Sequence, residues 1–273
     1  QAGPALALTV IGMLCAIALS PMIGGVLTLY GGWRAPILLA LAIGFGALLA
    51  VLGLYRESNR NLDPQAGQLR LLAGNYADLL RAASFRALAL TLACTYGAMF
   101  AVVAGSSAVY IGLLELSPAQ YGLIFGAIVS ALIVGALFTQ RRIMQLGPEK
   151  IVAIGAVLVA LGGVTTLAIY LLFGLSVLGL SIPQVLVTLG GGMLLPASVA
   201  GAVIPNAHRA GLAAGFMGFA QMAGATCSGV LLSILADGTA LPMLLLNCVF
   251  AVAAFSAFHL LRPRPALDVA LAR

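Results

Sequence analysis

The groups in this chain that could do acid–base chemistry are seven carboxylates and two histidines. The carboxylates are Glu57, Asp63, Asp78, Glu115, Glu149, Asp237 and Asp268. All of them fall between long apolar runs or in the tail, so no carboxylate is expected at membrane depth, where an ionisable side chain is the default proton relay. His208 and His259 stand near the edges of apolar runs. Neither has a second histidine one helical turn away, the spacing that lets one helix hold a metal with two imidazoles. The four cysteines, Cys15, Cys94, Cys227 and Cys248, lie inside apolar runs and read as packing residues. No Ser/His/Asp grouping or carboxylate pair shares one depth. Gly190-Gly191-Gly192 has no lysine after it and sits in the middle of an apolar run, so it reads as a helix-packing or flexible site and not as a phosphate loop. The expectation is a chain without enzymatic, cofactor or metal chemistry.

The elements that position these groups follow from composition. Of the 273 residues, 62% are hydrophobic and 7% charged, against about 25% charged in a soluble domain. Eight apolar runs are long enough to cross a bilayer. They are Ala5–Leu29, Ala35–Leu54, Ala87–Leu113, Gln120–Phe138, Ile151–Phe173, Val177–Ile204, Ala210–Leu235 and Leu241–Leu261. The fold class is therefore an all-α integral membrane protein. The net charge of +6 does not point to nucleic acid, because the basic residues lie between the runs. With Gln1 placed on the cytoplasmic side, the breaks after the second, fourth and sixth runs and the tail hold 12 of the 13 Lys and Arg residues. Only Arg34 lies on the other side. Excess Lys and Arg marks the cytoplasmic face, so both termini are expected there. In the break after the second run, Tyr76, Leu79, Leu80 and Ala83 form a stripe at helical spacing, with Asn75 as N-cap. It is read as an amphipathic helix on the membrane surface.

Candidate ligand contacts are the polar, aromatic and Met residues inside the runs. The third run carries Tyr96, Met99 and Phe100 on one face, with Tyr110 further along; the sixth carries Gln184 and the seventh Gln221. The plain alternative for each aromatic or Met is bundle packing. Gln184 and Gln221 divide evenly between interhelical hydrogen bond and ligand contact, since a buried amide is costly without a partner. Asn247 is a further amide, in the eighth run.

The first run ends in Ser20-Pro21-Met22-Ile23-Gly24-Gly25, followed by Tyr30-Gly31-Gly32-Trp33-Arg34. Gly12, Ala16, Ser20 and Gly24 make a face of small residues, and Pro21 bends a helix. This stretch resembles the antiporter motif in the fifth helix of major facilitator drug exporters, of the Bcr/CflA (bicyclomycin resistance) type. It departs from the family at Ser20 and Ala16, where glycines are usual. Asn75-Tyr76 with Leu79-Leu80, Arg141 to Gly147, and Pro205 to Gly211 resemble later loops of the same family.

The resemblance implies a partial major facilitator fold with eight of an expected twelve transmembrane helices. Residues 1–55 would be the last two helices of the N-terminal half, 56–86 a cytoplasmic linker, 87–262 the six-helix C-terminal half and 263–273 a cytoplasmic tail. The chain opens on Gln1 without a signal peptide and is read as a piece of a longer protein, with the proton-coupling acid in helices outside it. The implied function is proton-coupled antiport of small amphiphilic drugs across the bacterial inner membrane by a monomer, with lipid and protons as partners. Tyr96, Met99, Phe100, Tyr110, Gln184 and Gln221 would contact substrate in one cavity. Ser20, Pro21, Gly24 and Gly25 would be the antiporter motif, with Pro21, Gly24 and Gly25 at the closest helix approach. Sugar or metabolite efflux is the alternative within the family; a membrane enzyme or a non-transporting fragment is the alternative outside it. The 12-to-1 asymmetry predicts that cysteines placed at Glu115 and at Arg141 react with an impermeant reagent from opposite faces of the membrane. Labelling of both from one face would contradict it.

Overall fold

The computed structural model describes residues 20, 23–54 and 69–261. Apart from short connections, those residues are helical. Helix α1 covers residues 23–31 and is followed by α2 (Arg34–Leu54), α3 (Leu69–Arg81) and α4 (Ala83–Ser107). A π-helical segment, Ala108–Leu113, extends α4. Then come α5 (Pro118–Leu146), α6 (Pro148–Phe173), α7 (Val177–Val203), a 3-10 turn (Ile204–Arg209), α8 (Ala210–Leu235) and α9 (Leu241–Leu261). Six stretches are long and apolar enough to cross a bilayer. One of them, Val177–Leu235, runs for 59 residues. At 1.5 Å per residue that is about 90 Å, nearly three bilayer cores, so it must fold back. It does so at the 3-10 turn, where Asn206 leaves helical geometry. The described residues thus hold seven of the eight expected crossings; most of the first lies outside them.

The helix boundaries follow local chemistry. Ser117 and Gln120 form a reciprocal capping box ahead of α5: the Ser117 N–H donates to Gln120 Oε1 at 3.0 Å, and the Gln120 N–H donates to Ser117 Oγ at 3.2 Å. At the other end, Gly147 adopts φ +76° and Pro148 opens α6, the pairing of a left-handed C-cap with an N-terminal proline. Helix α5 therefore runs through Arg141 and Arg142, which the sequence reading placed in a loop. Helix continues there because nothing breaks it before Gly147. Asn75 is likewise interior to α3, which starts six residues earlier, at Leu69. It is not the N-cap.

The chain divides into two units. The first takes residues 1–72 and 117–126, the second 73–116 and 127–273. In the first, Gly32 turns the chain between α1 and α2 with φ +70°, and the Arg34 guanidinium stands 4.6 Å from the centre of the Trp33 ring. Helix α2 has no buried residue.

In the second unit the helices meet backbone to backbone. A side-chain methyl at Gly192 of α7 would overlap the Leu132 carbonyl of α5, and one at Gly135 of α5 would overlap the Leu189 carbonyl of α7. One at Gly190 would stand 2.6 Å from the Gly155 carbonyl of α6, and one at Gly224 of α8 would overlap the Ala93 carbonyl of α4. Thr139 Oγ1 donates to the Met193 carbonyl at 3.1 Å and Thr188 Oγ1 to the Ile128 carbonyl at 2.8 Å, tying α5 to α7 above and below the glycines. Lipid tails are as apolar as Leu, so such close packing and interhelical hydrogen bonds carry association.

Helix α3 corrects one expectation. Its stripe does not face lipid. Leu79 is 3% exposed and shares a core cluster with Phe85, Ile151 and Met217, with Tyr76 and Leu80 packed alongside. Asp78 bridges Arg81 at 3.0 Å and Arg209 at 3.4 Å on the exposed side; exposed pairs of this kind contribute little. The protein surface wins the stripe because Phe216 offers aromatic contacts to Tyr76 and Phe85.

These contacts predict that Gly192→Ala lowers stability by about 1–3 kcal/mol through overpacking. Gly112→Ala, at a position with open space, should leave it within about 0.5 kcal/mol. Thermal unfolding in detergent reads both, and equal effects would contradict the packing described.

Candidate functional site

The candidate contact residues lie in the second unit, and their surroundings divide them in two. Gln184 of α7 is 3% exposed, and its amide nitrogen is bonded to two neighbouring helices. Its Nε2 donates to Thr166 Oγ1 of α6 at 3.1 Å and to Asn247 Oδ1 of α9 at 3.1 Å. Asn247 is completely buried and donates from Nδ2 to the Ala98 carbonyl of α4 at 2.9 Å. The Thr166 hydroxyl in turn donates a hydrogen bond to the Gly162 carbonyl at 2.7 Å. Two side-chain amides and one hydroxyl thus join four helices where lipid and apolar side chains offer no other partner.

Tyr110, also 3% exposed, shares a hydrogen bond of 2.9 Å with Ser181 of α7. It fixes the π-helical segment to α7.

Tyr96, Met99, Phe100 and Gln221 are only half-buried. Met99 lies over Gly191 and Phe100 beside Gly229, so the ring and the thioether occupy the notches these glycines leave in α7 and α8. No described residue hydrogen-bonds the Tyr96 hydroxyl or the Gln221 amide. The six residues do not converge on one wall. Gln184 turns toward α6 and α9, Tyr110 toward Ser181, Met99 and Phe100 toward the glycines of α7 and α8, and the half-buried Tyr96 and Gln221 keep unengaged polar ends. Helical spacing could place Tyr96, Met99 and Phe100 on one face; it could not show which neighbour Gln184 meets. What spacing leaves out is the pairing of Gln184 with Asn247 of α9, because the two lie 63 residues apart in sequence.

For the motif, Ser20, Gly24 and Gly25 are described and Pro21 lies outside the described residues. A side chain at Gly24 would meet nothing within 4 Å, and one at Gly25 would make an ordinary 3.6 Å contact with the Pro118 carbonyl. Thr28 Oγ1 donates to the Gly24 carbonyl at 2.7 Å. Among the described residues, the tightest helix approaches are those of Gly135, Gly192 and Gly224, not those of the motif. The four described carboxylates sit at helix ends or in turns: Asp78 on α3, Glu149 in the first turn of α6, and Glu115 and Asp237 in the connections after the π-helical segment and α8. No group of three or more His, Cys, Asp or Glu among the described residues could hold a metal.

This division predicts that Asn247→Ala destabilises the fold by about 1–2 kcal/mol, since it strands the Gln184 amide and removes the link to α4. Gln221→Ala should change stability by less than about 0.5 kcal/mol. Denaturation in mixed micelles measures both; the reverse order would place the structural amide at Gln221.

Comparison with known proteins gives two findings. The family model described as Major Facilitator Superfamily matches residues 1–200. The bicyclomycin resistance protein homolog of Haemophilus influenzae is 23% identical over 257 residues, which is 94% of this chain and 64% of that protein. The chain therefore spans a little under two thirds of the length of the curated relative it matches. With a family match across most of its length and helices that cross the membrane repeatedly, the chain belongs to the major facilitator superfamily.

Proposed function

We propose that the protein is a multidrug exporter that exchanges protons for small amphiphilic drugs across the bacterial inner membrane, with both termini of this chain in the cytoplasm. It is a transporter rather than an enzyme and works as a monomer. The observation that carries this reading is the match along 94% of the chain to a relative named for bicyclomycin resistance. The chemistry of the open faces agrees with it. Tyr96, Met99, Phe100 and Gln221 offer two aromatic rings, a thioether and one amide, a surface that suits a greasy molecule with a few polar groups. A sugar needs a denser row of donors and acceptors. Met side chains repack around ligands of different shape.

In this reading the open residues touch the drug, while Gln184 and Tyr110 hold α7 in place behind them. Gly24, with its neighbours Ser20, Pro21 and Gly25, acts as the antiporter motif. Its side-chain position is open, so a larger residue there would act on transport without first disturbing the packing described.

The test is export by the full-length protein in a drug-sensitive bacterial host, with protein level measured alongside. Tyr96→Ala and Gln221→Ala should change which compounds are exported, by about tenfold for the most affected one, roughly 1.4 kcal/mol of binding. Gly24→Val should reduce export of all compounds at normal membrane level. Changes in abundance alone, with an unaltered profile, would remove these residues from the site.

A further inference from the structure

Away from the candidate contact residues, the second unit holds a cavity of about 500 Å³ between α4 with its π-helical extension, the end of α8 and the start of α9. None of Tyr96, Met99, Phe100, Tyr110, Gln184 or Gln221 lines it. Its size is that of a small-molecule site. Two observations say what it would hold.

The first is its wall. Gly105, Ala108, Gly112 and Gly229 open space between the larger apolar side chains of Leu113 and Leu232. The π-helical segment is held from its far side by the Tyr110–Ser181 hydrogen bond, while Ala108 and Gly112, one turn apart, face the cavity. Such segments recur at functional sites. Met243, packed against Gly105, adds a flexible thioether to the wall.

The second is its rim. The α8–α9 connection contributes Gly238 and Thr239 to the lining. Between Ala236 and Gly238 lies Asp237, whose Oδ1 accepts from the Thr239 N–H at 2.9 Å and from Thr239 Oγ1 at 2.7 Å. These bonds hold its carboxyl below the usual carboxylate range, so it stays ionised at neutral pH. The other charged side chain at this end of the unit is Glu115. The unit's described Lys and Arg residues all lie at the opposite end, on α3, at the start of α4, on the last turns of α5, at the start of α6 and in the 3-10 turn. An apolar chamber with a carboxylate at its rim, and no Lys or Arg of the unit's described residues at this end, complements one kind of molecule.

We propose that this cavity is a binding site for a small amphiphilic cation, with the apolar body between α4, α8 and α9 and the positive charge at Asp237. The site is separate from the faces carrying Tyr96 and Gln221 and needs no transport cycle to fill.

The experiment is equilibrium binding of tetraphenylphosphonium to the purified full chain in neutral detergent, with the isosteric anion tetraphenylborate as the comparison. The cation should bind and the anion should bind far more weakly. Asp237→Asn keeps the acceptor oxygen that shapes the turn and removes the charge. It should weaken the cation about fivefold at low salt, and added salt should shrink the wild-type advantage. Gly112→Leu, built where a side chain meets nothing within 4 Å, should fill the chamber and weaken the cation at least about tenfold. Ser233→Leu, on the same lining, supplies a second filling variant should Gly112→Leu fail to give a monodisperse protein. Cation binding unchanged in Asp237→Asn and in the filling variant overturns the proposal. So does a filling variant that weakens cation and anion equally while Asp237→Asn has no effect, the result expected of a slot for a lipid chain.

Discussion

Backbone-to-backbone contact at glycine is the constraint on which the second unit depends. Where Gly192 meets the Leu132 carbonyl and Gly224 the Ala93 carbonyl, no side chain can intervene. The backbones of α5 and α7, and of α4 and α8, are thereby in direct contact. In water such contacts would be helped by expulsion of solvent from apolar side chains. Between lipids that contribution is nearly absent, and dispersion contact plus hydrogen bonding must hold the bundle. The glycines supply the first. The Gln184–Asn247 amides, with Thr166 and the Ala98 carbonyl, supply the second, and they also fix which helices meet.

This arrangement separates rigidity from recognition. The buried amides sit on the sides of α7 and α9 that face α6 and α4, and they are bonded to each other, to Thr166 and to the Ala98 carbonyl. The unengaged polar ends, Tyr96 and Gln221, occur on α4 and α8, where the surface is more open. A ligand arriving there meets donors and acceptors that break no internal bond when they turn to it, whereas a ligand competing for Gln184 would have to disrupt four helices.

Much of the fold was legible in the sequence because lipid imposes a strict length rule. Runs such as Ile151–Phe173 and Ala210–Leu235 read directly as helices, and the structure returns the same bounds to within a few residues. Gly190-Gly191-Gly192 was legible as packing because a mid-span glycine run has little else to do. Partner identity was not legible. Periodicity puts Leu79 and Tyr76 on one face of α3 but cannot distinguish lipid from Phe216, since both are apolar. It assigns Gln184 and Gln221 equal weight, because the difference lies in Asn247, 63 residues away in sequence. The Asn75 cap failed because helix is permitted further upstream, and a favourable capping residue does not compel a helix to begin. The small-residue face around Gly24 gave a prediction of close approach from spacing alone, and spacing shows that a helix can come near, not that one does.

The most direct test of the account is a double-mutant cycle on the central amides. Gln184→Leu, Asn247→Leu and the double variant would be compared by reversible denaturation in mixed micelles. If the two side chains hold the helices through each other, the double variant is less damaged than the sum of the singles, by about 0.6 kcal/mol, the mean of such couplings in a membrane protein, and by no more than about 1.7 kcal/mol. Strict additivity would show that the amides act independently and that the packing glycines alone determine how these helices meet.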